Sequence, residues 1–523
     1  MSDESEQRAE ARESSGARAE REGARATSLD ITDAEMRELA DAFVALTTDY
    51  FAGVTDLSVY KYTSSADLSR LFDRPLPADG EPLERLMDDC RALVGGSRQN
   101  GHPRMFGYVA SPSTPVGAFA NLFASALNQN VPAWRSSPAA TVIERNVVRR
   151  LAELIGYGAE CGGLLTSGGS MANLNALFVA HRTKTGEAHG GAVSQKGLWN
   201  ATAPATIYVS DQVHLSIPKA VDLMGIGREQ VRVIASDENF RTDVRALRER
   251  IEQDRAAGLR PFCVVASAGT VNTGAIDPLA DIAHVAREHD LWFHVDGAYG
   301  ALAALDESKR ELFDGLALAD SVSLDPHKWL YAPLDCGCLL YRRPEEARAA
   351  FAGTEEHYVK IFEQEPDEAF AFWDYGIELS RPFRALKIWM MLRYYGTRRI
   401  AASIAEDCAV AAYFAARVSA AEDFQLLAPT TLGICCFRYT PPETRRRIER
   451  AADEAERERL NVELDELNFR LMQNVQRGGR AYLSNTTLRG RFALRASITN
   501  FRTTRRDVDV TLDILRDAAT AQE

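Results

Sequence analysis

The chain has 523 residues, enough for two or three domains around a sizeable core. Hydrophobic residues make up 46% and charged residues 26%, as in ordinary globular proteins, and no uninterrupted apolar run reaches membrane-spanning length. The net charge of −13 argues against a nucleic-acid polyanion as the main partner.

The N-terminus lacks a signal-peptide pattern, and the eight cysteines lack paired zinc spacing. A reduced, cytoplasmic protein without a membrane anchor is expected. Residues 1–26 are rich in Glu, Arg, Ala and Ser with almost nothing to bury, so a disordered tail is predicted there. Thr32 is placed to cap a helix whose Met36, Leu39, Phe43 and Leu46 keep helical spacing. The segment 27–115 is expected to be an N-terminal helical region that packs on a second subunit.

Between 95 and 138 the text changes to Gly, Pro and aromatics mixed with short polar residues, including Asn100, His102, Tyr108, Ser111 and Trp134. Such a composition suits a pocket wall made of loops. Val142, Ile143, Val147, Leu151 and Leu154 then mark a helix over 138–155. At Thr166-Ser167-Gly168-Gly169-Ser170, two apolar residues end in a glycine turn, and a helix follows through Leu174 and Leu177. Glycines let the backbone approach an anion, and the amides of a helix start point toward it. No Gly-Lys-Ser/Thr follows, so this is not a nucleotide P-loop.

Apolar runs at 206–210, 231–235, 262–268, 291–296, 320–324 and 336–341 alternate with helix-like segments. That alternation predicts a largely parallel sheet covered on both faces, with ligands beyond the carboxyl ends of its strands. His214, Thr270 and Asp296 all fall at such ends. The run Ser321-Val322-Ser323-Leu324-Asp325-Pro326-His327-Lys328-Trp329 ends its strand at a proline and puts a lysine directly behind it. A lysine beside an apolar shell is desolvated, which lowers its pKa and frees the amine as a nucleophile for a Schiff base. An anion cup, a strand-end carboxylate and this lysine together are what pyridoxal 5'-phosphate requires.

The order and wording of these motifs resemble the group II pyridoxal-phosphate-dependent amino-acid decarboxylases, the family of aromatic-amino-acid, glutamate and diaminobutyrate decarboxylases. The likeness covers His102-Pro103, the 166–173 turn, His214, Gly269-Thr270, His294-Val295-Asp296-Gly297-Ala298-Tyr299 and Asp325-Pro326-His327-Lys328-Trp329. It continues through Arg381-Pro382-Phe383-Arg384 and Leu494-Arg495-Ala496-Ser497. The resemblance implies a fold-type I α/β architecture. A large domain at 116–398 would carry a mostly parallel seven-stranded sheet, and 399–523 would form a smaller C-terminal α/β domain. It further implies a homodimer with shared active sites and a small amino-acid substrate.

By the same resemblance, Lys328 holds the cofactor, Asp296 pairs with its ring nitrogen and His214 stacks on the ring. Gly169 and Ser170 bind phosphate with help from Ser321 or Ser323 and from His327, Asp325 is a further cofactor contact, and Thr270 and Ala298 line the ring. Tyr108, Ser111 and Trp134 contact substrate, partly across the dimer. Tyr358 matches the lid tyrosine that protonates the α-carbon after CO₂ leaves. The implied reaction is decarboxylation to the amine. The alternatives are oxidative deamination to an aldehyde, transamination, or a catalytically silent partner subunit. Aromatic-amino-acid decarboxylases carry rings in the pocket where this chain has Asn100, Val109, Asn130 and Pro132, which weakens an indole or catechol substrate.

The last third reads as a helix over 400–418, a strand over 433–439 and a charged helical stretch over 443–476. A strand over 492–498 and a closing helix complete it.

Overall fold

A computed structural model describes residues 29–185, 193, 197–200, 203–351, 365 and 367–520. The expected tail at 1–26 and the expected lid residue Tyr358 lie outside the described residues. Among the described residues no helix is long and apolar enough to cross a membrane.

The described residues up to Ala52 together with Ser69–Gly95 form one compact unit. Its helix Asp33–Gly53 opens on a capping box. The Glu35 amide donates to Thr32 Oγ1 at 3.3 Å, and the Thr32 amide donates to Glu35 Oε2 at 2.8 Å. Met36 and Phe43 on this helix are exposed.

Gly53–Leu68 and the chain from Gly96 onward form the second unit. The expected single segment 27–115 therefore divides. Residues 53–68 and 96–115 are claimed by the second unit through hydrogen bonds to the C-terminal third. Val59 donates to the Gly479 carbonyl at 2.8 Å and Phe106 to that of Tyr482 at 2.8 Å. Val59, Met105 and Tyr482 close a small apolar cluster over these bonds.

Seven strands form the main sheet of this unit: β1 (Gly162–Thr166), β2 (Ala205–Ser210), β3 (Val231–Ile234), β4 (Arg260–Ser267), β5 (Trp292–Asp296), β6 (Ser321–Leu324) and β7 (Gly337–Tyr341). Their order is β1-β7-β6-β5-β4-β2-β3. Strands β2 to β6 run parallel, and β7 is antiparallel to both neighbours. The residues of β2, β5, β6 and β7 are buried throughout, as expected of a sheet with helices on both faces.

A second, antiparallel sheet has the order β10-β11-β9-β8. It consists of β8 (Phe424–Leu426), β9 (Ile434–Tyr439), β10 (Ser484–Leu488) and β11 (Arg491–Ser497). It packs with the helices Thr397–Ala420, Glu454–Gly478 and Arg505–Thr520 around its own core, which includes Phe414, Phe437, Leu471 and Leu512. The charged stretch expected as one helix is two, Pro442–Arg450 and Glu454–Gly478. The break falls before Asp453, whose carboxylate accepts from the Glu456 amide at 2.7 Å and starts the second helix.

One buried ion pair joins the entry helix Pro138–Leu154 to β1. Arg381 donates to Glu144, to the Val131 carbonyl at 2.6 Å and to the Leu165 carbonyl at 2.8 Å. Glu144 also accepts the Leu165 amide at 2.9 Å. Their side chains are 1% and 0% exposed. Removing one partner strands the other charge in a dry site, so Arg381→Ala is expected to cost about 3–5 kcal/mol. The double variant Glu144→Leu/Arg381→Met should recover much of that loss. Urea unfolding of the three proteins checks it, and a single-variant loss below about 1 kcal/mol would contradict the assignment.

Candidate active site

Because β2, β4, β5 and β6 run parallel, their carboxyl ends share one edge of the sheet. Register sets Ser267 of β4 beside Asp296 of β5, and Asp296 beside Ser323 of β6. His214 follows β2, Thr270 follows β4, and Lys328 lies on the short helix Pro326–Trp329 that follows β6. The expected strand-end residues are thus gathered at one place.

The glycine turn after β1 reaches the same edge. The helix Gly169–Thr185 starts there with Ser170 exposed. A Cβ on Gly169 would stand 2.8 Å from Ala298 Cβ and 3.1 Å from Asp325 Oδ2, and one on Gly168 would stand 3.4 Å from His327 Cε1. Behind the turn, a Cβ on Gly337 would meet Gly168 Cα at 2.5 Å. At Gly169 and Gly337 a side chain would force its neighbours apart, so glycine there lets the helix start sit this close to the residues around Lys328.

Asp296 is almost fully buried and accepts three hydrogen bonds. Asn173 Nδ2 donates to Oδ2 at 2.9 Å; the Ala298 amide and the Ser323 hydroxyl donate to Oδ1 at 3.1 and 3.3 Å. His214 Nδ1 receives the Ser216 amide at 3.3 Å and lies 2.8 Å from the Ser216 hydroxyl. Burial lowers the His214 pKa; Lys328 adds to that shift, while Asp296 and Asp325 oppose it.

The Lys328 side chain is 21% exposed, and Nζ lies 3.0 Å from Asp325 Oδ2. This corrects the expected apolar shell, because the nearest partner of the amine is a carboxylate. Asp325 Oδ1 is buried with no hydrogen-bond partner among the described residues. His327 Nδ1 accepts the Cys336 amide at 3.2 Å, so in the neutral ring the proton sits on Nε2. Burial keeps His327 below the usual histidine range.

Several expected contacts need correction. Ser321 is not a phosphate ligand: its oxygen accepts from Trp292 Nε1 at 2.9 Å and pairs with His294 Nδ1 at 2.8 Å, inside the sheet. Ser323 spends its hydroxyl on Asp296. Ser111 Oγ donates to the Lys328 carbonyl, so it holds the lysine backbone in place of substrate. The Thr270 hydroxyl pairs with Thr273 Oγ1 at 3.0 Å. Trp134 lines a separate cavity of about 550 Å³ with Arg145, Phe370 and Tyr375, and within one chain it does not join the lysine cluster.

Tyr108 has a left-handed backbone, φ 63°, and its half-exposed ring lies under the Arg98 guanidinium at 4.7 Å. Its carbonyl accepts from Arg495 at 3.2 Å. Arg495 is buried, and its Nη2 has no partner among the described residues. It therefore offers an open donor to an anionic group. Asn173, Ser216 and His294 complete the polar cluster around Asp296, although only the resemblance drew attention to any of them in the sequence.

This set of groups can be tested against a cofactor. A phosphate is accommodated by a glycine cradle at a helix start, a ring nitrogen by the Asp296 acceptor, and an aldehyde by a primary amine. The residues present fit pyridoxal phosphate, and the α/β architecture is that of fold-type I enzymes which use it. The conserved domain described as "Pyridoxal-dependent decarboxylase" matches residues 66–440, and the chain belongs to that family of carboxy-lyases. It is 34% identical over 477 residues to the aromatic-L-amino-acid decarboxylase of Bacillus atrophaeus, covering 91% of this chain and 94% of that one. The phenylacetaldehyde synthase of Petunia hybrida is 29% identical over 498 residues, covering 93% and 94%. A crystal structure of Oryza sativa TDC with PLP and tryptamine superposes with a TM-score of 0.85 at 28% identity, covering 95% of this chain and all of that one. The protein is a pyridoxal-phosphate-dependent enzyme that decarboxylates an amino acid.

Behind Lys328, the helix Thr397–Ala420 anchors the segment. Asp407, on the helix Thr397–Ala420, accepts from Trp329 Nε1 at 3.1 Å and from the Tyr331 hydroxyl at 2.8 Å. Burial raises its pKa from the ordinary 3.8 to about 7, against the lowering effect of those two donors. The folded state thus holds this proton more tightly than the unfolded chain does. Below about pH 4 both states are protonated and the group costs nothing. Between about pH 4 and 7 the unfolded chain ionises first, so the contribution of Asp407 to stability falls as pH rises, and it levels off above 7. Asp407→Asn should therefore gain on the parent across that window by at least about 1 kcal/mol. Denaturation midpoints at pH 4.5 and 7.5 measure it; a constant offset between the two proteins would contradict the buried-acid reading.

Proposed function

We propose that the chain converts an L-amino acid to the amine and CO₂ with Lys328 as the attachment point of pyridoxal phosphate. The observation that carries this reading is the convergence of Lys328, Asp296 and the Gly168-Gly169 turn at one sheet edge. When bound, the cofactor supplies an electron sink for the pair left on the α-carbon as CO₂ departs.

The residues of the chain do the rest. The amides at the start of the helix Gly169–Thr185, with Ser170 and the Nε2–H of His327, hold the phosphate, and Asp325 orients the amine of Lys328. Asp296 would accept the proton-bearing ring nitrogen and keep that proton in place. His214, Ala298 and Thr270 would lie against the ring. Tyr358 gives its hydroxyl proton to the α-carbon, so that the amine and not the aldehyde is released. This last assignment rests on the family resemblance.

The functional form in this reading is a homodimer in the cytoplasm. A row of exposed apolar side chains on the helix Pro115–Leu127, Phe119, Leu122, Phe123 and Leu127, supports a partner surface. Eight free cysteines fit a reducing compartment.

Borohydride reduction of the cofactor-loaded protein followed by peptide mapping should place the adduct on Lys328, and Lys328→Ala should yield none. An adduct on another lysine refutes the assignment. A mass-spectrometric screen of the common amino acids for amine, aldehyde or keto acid then identifies the substrate. With that substrate, Tyr358→Phe should lower amine formation by roughly 10²–10⁴-fold and divert product toward aldehyde under air. Unchanged amine formation would leave Tyr358 without a proton-transfer role.

A further inference from the structure

The polar cluster beneath Asp296 contains more than is needed to hold one carboxylate. Trp292, Ser321, His294, Asn173 and Ser216 are all nearly or fully buried. Trp292 Nε1 donates to Ser321, whose hydroxyl lies 2.8 Å from His294 Nδ1. His294 Nε2 lies 3.0 Å from Asn173 Oδ1. Asn173 Nδ2 donates to Asp296 at 2.9 Å and to Ser216 Oγ at 3.0 Å. Ser216 Oγ in turn lies 2.8 Å from His214 Nδ1.

The two ends have one possible polarity each. An indole N–H only donates, and a carboxylate only accepts. Facing the Asp296 carboxylate, Asn173 must present its amide nitrogen, so both of its protons are used, one on Asp296 and one on Ser216. Its oxygen is then turned to His294 and needs a proton from Nε2. His294 is neutral, because burial pushes its pKa down to about 4. Its Nδ1 is therefore bare and takes the Ser321 proton, while the Ser321 oxygen accepts from Trp292. On the other branch the Ser216 amide donates to His214 Nδ1 at 3.3 Å, and the Ser216 hydroxyl, which accepts from Asn173, turns its own proton to the same nitrogen. No member of the chain has a choice left.

We infer that Asn173 is a positioning residue that ties the tautomer of His294 to the carboxylate of Asp296, while Ser216 holds His214 in the same form through its amide and its hydroxyl, so that both rings carry their proton on Nε2. His214 then keeps its N–H on the side of the ring away from Ser216, where it is a donor of fixed direction for an acceptor group in the plane of the ring. The opposite tautomer would offer a lone pair there. This inference rests on the proposed placement of the cofactor for its consequence, but its geometry does not depend on it.

The test is ¹⁵N NMR of the histidine rings, tractable with nine histidines in the chain, recorded on the full-length protein with and without added pyridoxal phosphate. In the parent, His214 and His294 should both show the neutral Nε2–H pattern at pH 7. Asn173→Leu should give a mixture of tautomers at His294 and leave His214 in its Nε2–H form, because the Ser216 amide still faces His214 Nδ1. Ser216→Ala keeps that amide and should change neither tautomer. An Nδ1–H form at either ring in the parent overturns the proposal, as does an unchanged His294 in Asn173→Leu. Should that variant fail to fold, the parent tautomers decide alone. Failure of the cofactor reading shows separately, as the absence of an adduct on Lys328 with the tautomers intact.

Discussion

A carboxylate buried at the end of a central strand is the constraint on which the site depends. Asp296 cannot remain in the sheet without donors, since an unpartnered buried charge costs several kcal/mol. Its three donors come from three elements: the helix after the glycine turn, the bend after β5, and β6. Asn173 stands on the first turn or so of the helix that begins at Gly169. The bond from Asn173 to Asp296 therefore also sets how far the helix start lies from the carboxylate. One hydrogen bond ties the anion cup to the acid.

Lys328 is constrained from other directions. Asp325 meets its amine, Ser111 meets its carbonyl, and Asp407 grips Trp329 and Tyr331 from the C-terminal helical layer. The lysine segment is thus held by the N-terminal loop at Ser111 and by the helix Thr397–Ala420. Substitutions at Asp407 are expected to reach the amine through this grip, without touching the cofactor.

The strand pattern and the strand-end residues were legible because burial imposes a simple apolar alternation on a parallel sheet. His214, Asp296 and Lys328 stood out as polar residues ending apolar runs. The hydroxyls were misread for a physical reason. Ser321 and Ser323 sit in the same strand as seen in sequence, but the partner of each hydroxyl lies on neighbouring elements, which local spacing does not reveal. Asn173 is the extreme case, since its partners Ser216, His294 and Asp296 are 43 to 123 residues away. β10 was missed because Ser484-Asn485-Thr486-Thr487 has little apolar content, and its pairing with β11 on one edge supplies the order that its own sequence does not. The unity of 27–115 failed in the same way: only the bonds to Gly479 and Tyr482 show to which body residues 53–68 and 96–115 belong.

Three buried acids surround the lysine, and their partners divide the work among them. Asp325 faces a cation with Oδ2, the oxygen next to the glycine turn, and its Oδ1 has no partner among the described residues. Asp296 faces only neutral donors, each of which has a fixed direction. Asp407 faces an indole and a phenol, and burial moves it toward neutrality near pH 7. Its two donors stand on the first and third residues after Lys328. The deep, poorly solvated position of Asp407 thus fixes the lysine segment even though it costs folding stability above about pH 4.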